Sequence, residues 1–254
     1  MGNFSEPSSL IDAANKLLAE AQNRNLTLRL IGAIAFYHHC PKYNFIQKET
    51  DRFFTDIDFM AYIEQKRDIE KMFLDLGYVD DKRIQTIPGV KRSIFFTSDN
   101  SMHSDVFYDT LDFSHIINFR GRLELDYPTI SLADLLLEKM QIVQINEKDI
   151  IDTIMLIREH EPGNSDDETI NIDYMAKLCK SDWGLWKTVT TNLGKVIRLL
   201  DNYDVLANDD QQIIRERFRC IMQRIDEEPA TLRWKMRSMV GERVKWYRDV
   251  DEVM

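Results

Sequence analysis

The chain reads as an α+β protein, with a small mixed sheet and flanking helices first and a helical part after. Three observations predict this. Alternating apolar runs, "LTLRLIG", "TDIDFMAYI", "RSIFFTS" and "HSDVFYD", crowd into residues 26–109. Helical periodicity takes over from Ser131 for almost all the remainder. At 254 residues the chain can build one large domain or two modest ones, each with its own core.

Ser9 and Asp12 make a capping-box pattern that opens the first helix, "SLIDAANKLLAEAQNRN". "LTLRLIG" then alternates as a strand ending at Gly32, and "AIAFYHHC" is a short helix stopped before Pro41. After a polar loop comes the strand "TDIDFMAYI", then an amphipathic helix near "KRDIEKMFLDLG" that ends at Gly77. Two further strands are joined by the turn-rich "DNSM". The seam falls near "GRLELDYPTI", which gives domains 1–125 and 126–254, and "EPGNSDDET" is a second loop.

Composition narrows the function classes. Apolar residues at 44% and charged residues at 30% are ordinary for a soluble globular protein. A net charge of −10 argues against non-specific binding to DNA or acidic membranes by the molecule as a whole. Cys40, Cys179 and Cys220 are odd in number and far apart, with no CxxC pair, so a reducing cytoplasm is expected. No apolar run reaches the roughly 18 residues that span a bilayer. "MGNFSEPSSL" lacks a basic region followed by an apolar one, and Glu6 stands where a myristoylation signal needs Ser or Thr. The expectation is a cytoplasmic protein with no membrane partner.

Side chains alternate across a strand, so Asp56 and Asp58 share one face while Ile57 and Phe59 take the other. Asp105 lies in another apolar strand, with His103 and Phe107 on its face. A single such Asp reads best as a solvated strand end. Three carboxylates on adjacent strands repel unless divalent cations stand between them, and hard oxygen donors suit Mg²⁺, with Mn²⁺ the alternative. Two ions about 3.5–4 Å apart can polarise a phosphoryl group and activate the attacking oxygen. Upstream, Gly32 ends a strand and opens a helix, whose free N–H groups suit phosphate.

Strand, Gly-small at a helix start, DxD on the next strand and a lone Asp later resembles the nucleotidyltransferase superfamily of DNA polymerase beta. The nearest likeness is to the bacterial group that includes abortive-infection toxins and small antibiotic nucleotidyltransferases. Arg52, four residues before Asp56, matches that group's R-x-x-x-DxD, with Phe54 at its usual Thr position. "SLADLLLEKMQIVQINEKDIIDTIMLI" looks like its "DLLxxKL…RDxxD" segment, so the resemblance covers roughly residues 26–160. Gly32-Ala33 stands where members carry Gly-Gly or Gly-Ser, which removes a hydroxyl but keeps both amides.

The resemblance implies a nucleotidyltransferase-like domain followed by a helical domain closing the cleft. It implies metal-dependent transfer of NMP from an NTP, ATP among them, to an unknown acceptor (small molecule, protein or RNA). Asp56, Asp58 and Asp105 would hold a two-ion Mg²⁺ site, Asp105 also helping to deprotonate the acceptor. The Gly32 and Ala33 amides, Arg52 and Lys139 would bind the nucleotide. The alternative is a non-catalytic member that binds nucleotide or a partner, within a toxin–antitoxin or defence system.

Lys139 falls amid the apolar stripe Leu132, Leu135, Leu136 and Val143, opposite Asp134, Glu138 and Gln141, the polar face of a surface helix. It either snorkels to water or faces the cleft and holds the triphosphate, the role the family segment gives its lysine. Asp149 and Asp152 share a helical face as second candidates for orienting Lys139 or the substrate, although Asn146 with Asp149 also reads as a capping box.

Other features are discounted. His38 and His39 are adjacent on a helix and point roughly 100° apart, a poor chelate. Trp183 and Trp186 read as core packing between helices. Residues 231–248 hold six basic residues against one acidic, interleaved with Trp234, Trp246 and Tyr247. That segment is either a solvated helix over the core or a surface for RNA or another anionic acceptor.

Overall fold

A computed structural model describes residues 7–50, 52–81 and 91–249. In chain order the first elements are α1 (Pro7–Asn23), β1 (Leu28–Ile31), α2 (Gly32–His39), α3 (Phe45–Glu49), β2 (Ile57–Ala61) and α4 (Lys66–Asp75). There follow β3 (Val79–Asp80), β4 (Arg92–Phe96), β5 (His103–Tyr108) and two short strands, β6 (Thr110–Asp112) and β7 (Ile116–Asn118). Then come α5 (Leu132–Met140) and α6 (Glu147–Glu159), the two-residue strands β8 (Pro162–Gly163) and β9 (Ile170–Asn171), and α7 (Ile172–Ser181). The last helices are α8 (Trp183–Leu199), α9 (Asn208–Glu227) and α10 (Leu232–Val240). The α+β class is the one the sequence predicts.

The chain divides into two compact units. The first comprises Met1–His39, Phe53–Leu111 and Ile117–Ser131; the second comprises Cys40–Arg52, Asp112–Ile116 and Leu132–Met254.

The first unit is built on a mixed five-stranded sheet in the order β1-β2-β5-β4-β3. β1 runs antiparallel to β2, β2 parallel to β5, and β4 antiparallel to both β5 and β3. Register and the two-residue period sort the sheet into two faces. One carries Phe59, Val106, Tyr108, Ser93 and Phe95, all fully buried. Phe73 of α4 stacks on Phe95 with ring centres 4.1 Å apart and meets Phe59 edge-on at 6.4 Å. The opposite face carries Asp58, Asp105, Arg92 and His103. The charges share this face with the buried apolar side chains Ile31, Met60, Ile94 and Phe107.

In the second unit α5 is a central helix, packed against α6, α7 and α8. Every residue of it is buried, Asp134 and Glu138 included, and Gln141 just beyond is buried too. This corrects the expectation of a surface helix with a polar outer face. The helix also ends at Met140, so Val143 lies outside it. Buried Asn192 of α8 fastens that end, donating to the Met140 carbonyl at 2.9 Å and the Ile142 carbonyl at 2.6 Å. The loop expected before β2 contains α3, which buries Ile46 and Gln47. The three cysteines are free. Among the described residues no helix is long and apolar enough to cross a membrane.

Phe95→Ala removes the ring stacked on Phe73 and should cost about 3–5 kcal/mol. Urea unfolding followed by far-ultraviolet circular dichroism checks this through the midpoint.

Candidate functional site

Asp56 precedes β2 by one residue and Asp58 lies within it. The parallel ladder sets Asp58 directly opposite Asp105, and on its other side Asp58 faces Ile31 of β1. One residue past Ile31, Gly32 takes φ +66°, a left-handed conformation that suits glycine. A Cβ there would lie 2.5 Å from Asp58 Oδ2, so glycine lets the strand-to-helix turn sit against that carboxylate. Ala33, also buried, follows it into α2. The turn and the DxD pair are therefore one local assembly.

Asp56, His103 and Asp105 bring their ligand atoms within 4.8 Å of one another, a group that could hold a metal ion. His103 Nε2 is 3.6 Å from Asp56 Oδ2, and Thr55 Oγ1 donates to Asp56 Oδ1 at 3.0 Å. Asp105 is almost wholly buried, and the Arg92 guanidinium on β4 donates to its Oδ2. Burial raises the Asp105 carboxyl above the ordinary carboxylate range, while Arg92 and His103 pull it down.

Asp105 Oδ1 is buried without a hydrogen-bond partner. An orphaned buried carboxylate oxygen is costly, and a cation is the partner its chemistry favours. The donor set fits a divalent ion: two carboxylates and one imidazole, a mixture that admits Mn²⁺ as readily as Mg²⁺.

Arg52, Lys139, Asp149 and Asp152 meet in the helical unit. Lys139 Nζ lies 3.2 Å from Glu138 Oε1, 3.5 Å from Asp152 Oδ2 and 3.7 Å from Asp149 Oδ1. Asp152 is fully buried and also accepts from Arg52 at 3.1 Å and Gln47 at 2.9 Å. Lys139 does not snorkel. Burial disfavours its ammonium, but the Glu138, Asp152 and Asp149 carboxylates outweigh that and push its pKa well up. Asp149 serves the Asn146 capping box as well, both reciprocal hydrogen bonds being present.

The sequence reasoning missed Arg92. The available signal was an arginine opening an apolar strand, but only the antiparallel β4–β5 register brings it to Asp105. His103 was noted as sharing the Asp105 face and lies within the cluster. His39 is engaged elsewhere, with Nε2 2.5 Å from Thr129 Oγ1 and 3.1 Å from Asp126 Oδ2.

No family model matches the chain, and no curated protein matches it. Two solved structures resemble it in fold. The antibiotic-resistance factor ANT(2'')-Ia aligns over 68% of this chain and 94% of its own, at 13% identity and a TM-score of 0.43. The Megavirus polyadenylate synthase aligns over 68% of this chain and 38% of its own, at 12% identity and a TM-score of 0.33. At that level of likeness neither says what this chain acts on.

Asp152→Ala leaves Arg52 and Lys139 short of a buried partner and should cost about 3–5 kcal/mol. The raised Lys139 pKa sets the pH dependence. Its contribution is fully present below the unfolded lysine value of about 10.4 and is lost only as pH rises beyond it. Denaturant unfolding of parent and variant should therefore show the same difference at neutral and mildly alkaline pH.

Proposed function

We propose that the chain is a metal-dependent nucleotidyltransferase moving NMP from an NTP to an acceptor of still undefined class. The observation that supports this most is the convergence of Asp56, His103 and Asp105 beside the Gly32 turn, with Asp105 Oδ1 left unsatisfied. In this reading Asp56 and Asp105 hold the ion and His103 is its third protein donor. Asp58, opposite Asp105, completes the acidic face and buttresses the turn. When bound, a divalent ion there neutralises phosphate charge and favours the attacking oxygen.

The chain's own residues supply the rest. The Gly32 and Ala33 amides at the start of α2 receive phosphate oxygens. Arg92 fixes the Asp105 carboxylate by its Oδ2, leaving Oδ1 toward the ion and the acceptor proton. Arg52 and Lys139 are already paired with carboxylates, and touching triphosphate would require them to exchange those partners. The proposal assigns them to holding α3, α5 and α6 together. The catalytic part would be the first unit and the helical part the second; relative to a cut at 125/126, residues 40–52 and 112–116 fall with the helices and 126–131 with the sheet.

One observation favours a second reading, in which the protein binds nucleotide without turnover. Arg92 already neutralises much of the charge on Asp105, as a guanidinium can in place of a metal. A single assay separates the two. Incubation with Mg²⁺ or Mn²⁺ and each labelled NTP should release pyrophosphate, and Asp56→Asn, Asp58→Asn or Asp105→Asn should lower the rate at least about a thousandfold. Nucleotide binding with no release would establish the second reading.

Metal affinity gives a check that needs no turnover. Even outer partners of a metal ligand cost about 10–100-fold in affinity. His103→Ala should therefore weaken Mn²⁺ binding by at least about tenfold, read from the free-ion paramagnetic resonance signal. Unchanged affinity would remove His103 from the ligand set.

A further inference from the structure

The chain's four tryptophans share one neighbourhood in the helical unit. Ring centres of Trp183 and Trp186 are 6.1 Å apart, those of Trp183 and Trp246 6.2 Å, and those of Trp186 and Trp234 5.2 Å. Tyr247 lies 5.3 Å from Trp246. Trp183, Trp234, Trp246 and Tyr247 line a cavity of about 720 Å³, within the roughly 300–1,000 Å³ typical of small-molecule sites.

The wall formed by residues 244–248 is fastened in place. Trp246 Nε1 donates to Thr188 Oγ1 at 3.2 Å, and the Arg248 amide donates to the Ser114 carbonyl at 3.0 Å. A Cβ at Gly184 would lie 2.6 Å from the Trp246 carbonyl oxygen, so glycine there permits this close approach.

The charge on the cavity is mostly positive. Arg233, Arg237, Lys245 and Arg248 line it. Arg237 stacks 4.7 Å over the Trp183 ring and donates to the Gly241 and Val244 carbonyls, while Lys245 pairs with Asp249 and Arg248 with Asp112 at the rim. Arg233 is exposed, and no carboxylate pairs with it among the described residues. Behind the wall, the buried Lys180 ammonium lies 5.3 Å from the Trp234 ring centre and 5.8 Å from that of Trp186, again with no carboxylate pair among the described residues. The lining carboxylate, Asp182, is engaged in capping α8, accepting from the Gly184 and Leu185 amides at 2.7 and 3.1 Å.

We propose that this cavity binds a nucleobase carrying a phosphate. The half-buried rings of Trp234, Trp246 and Tyr247 would stack a planar ring, and Arg233, with the rim Lys245 and Arg248 in exchange for their carboxylate partners, would take the anion. An uncharged aromatic would leave Arg233 unanswered, and inorganic phosphate would leave the rings bare. A free nucleotide and a residue of a single strand offer the same chemistry. The site is independent of the acidic cluster proposed for transfer.

Because every tryptophan sits here, indole emission reports occupancy directly. The full chain is titrated with AMP, adenosine, inorganic phosphate and hexa-adenylate, with excitation at the red edge of indole absorption. AMP or hexa-adenylate should quench saturably, with adenosine and phosphate at least about tenfold weaker. Tighter binding of hexa-adenylate than of AMP assigns the site to a strand; equal binding assigns it to a free nucleotide. Arg233→Glu with Lys245→Glu should weaken binding at least about tenfold with the circular dichroism spectrum unchanged. Asp58→Asn should leave the quench as it is, whether or not transfer activity exists. No saturable quench, or one indifferent to charge reversal, overturns the proposal.

Discussion

The parallel ladder between β2 and β5 sets the terms for the first unit, because its register puts Asp58 and Asp105 side by side. Beyond burial, the nearby Asp56 carboxylate also raises the Asp105 carboxyl. The register cannot slip by one residue to relieve this, since that would turn Phe59 and Val106 out of the core. The carboxylates are therefore locked together by apolar packing on the reverse of the sheet, and the charge must be answered where it stands. Arg92 answers part of it, and His103 Nε2 lies 3.6 Å from Asp56 Oδ2.

The helical unit meets the same problem with a different remedy. Glu138, Asp149 and Asp152 are brought together by α5 and α6, and Lys139 and Arg52 stand among them. Here the counter-charges come from the chain, although the Gln47 Oε1 atom is buried without a hydrogen bond. In the sheet cluster a buried oxygen of Asp105 is left over. In the sheet the leftover atom is a carboxylate oxygen, and its residue groups with Asp56 and His103 as side chains that could hold a metal ion.

Much of this was legible in the sequence because it depends on short periods. The two-residue alternation puts Asp56 and Asp58 on one face; in the structure Asp58 lies in β2 opposite Asp105, and Asp56, just before the strand, groups with His103 and Asp105. The strand–Gly–helix order located the turn at Gly32. Asn146 and Asp149 announced their capping box at three residues' spacing. Arg92 was not legible, since its partner lies on another strand and only pairing register joins them. The burial of Asp134 and Glu138 was hidden for a related reason. Their periodicity matches a surface helix, and only the packing of α6, α7 and α8 around α5 shows otherwise. Lys139 stands out in the sequence as a charge on an apolar stripe, but its carboxylate partners include Glu138, its immediate neighbour on the face whose periodicity reads as solvated.

The gathering of all four indoles in one unit has a consequence for how unfolding can be followed. Emission responds to the helical unit alone, and melting of the sheet passes unseen by it. Backbone dichroism senses both. Coincident curves from these two probes would mean that the halves come apart as one cooperative body, and displaced curves that each has its own transition.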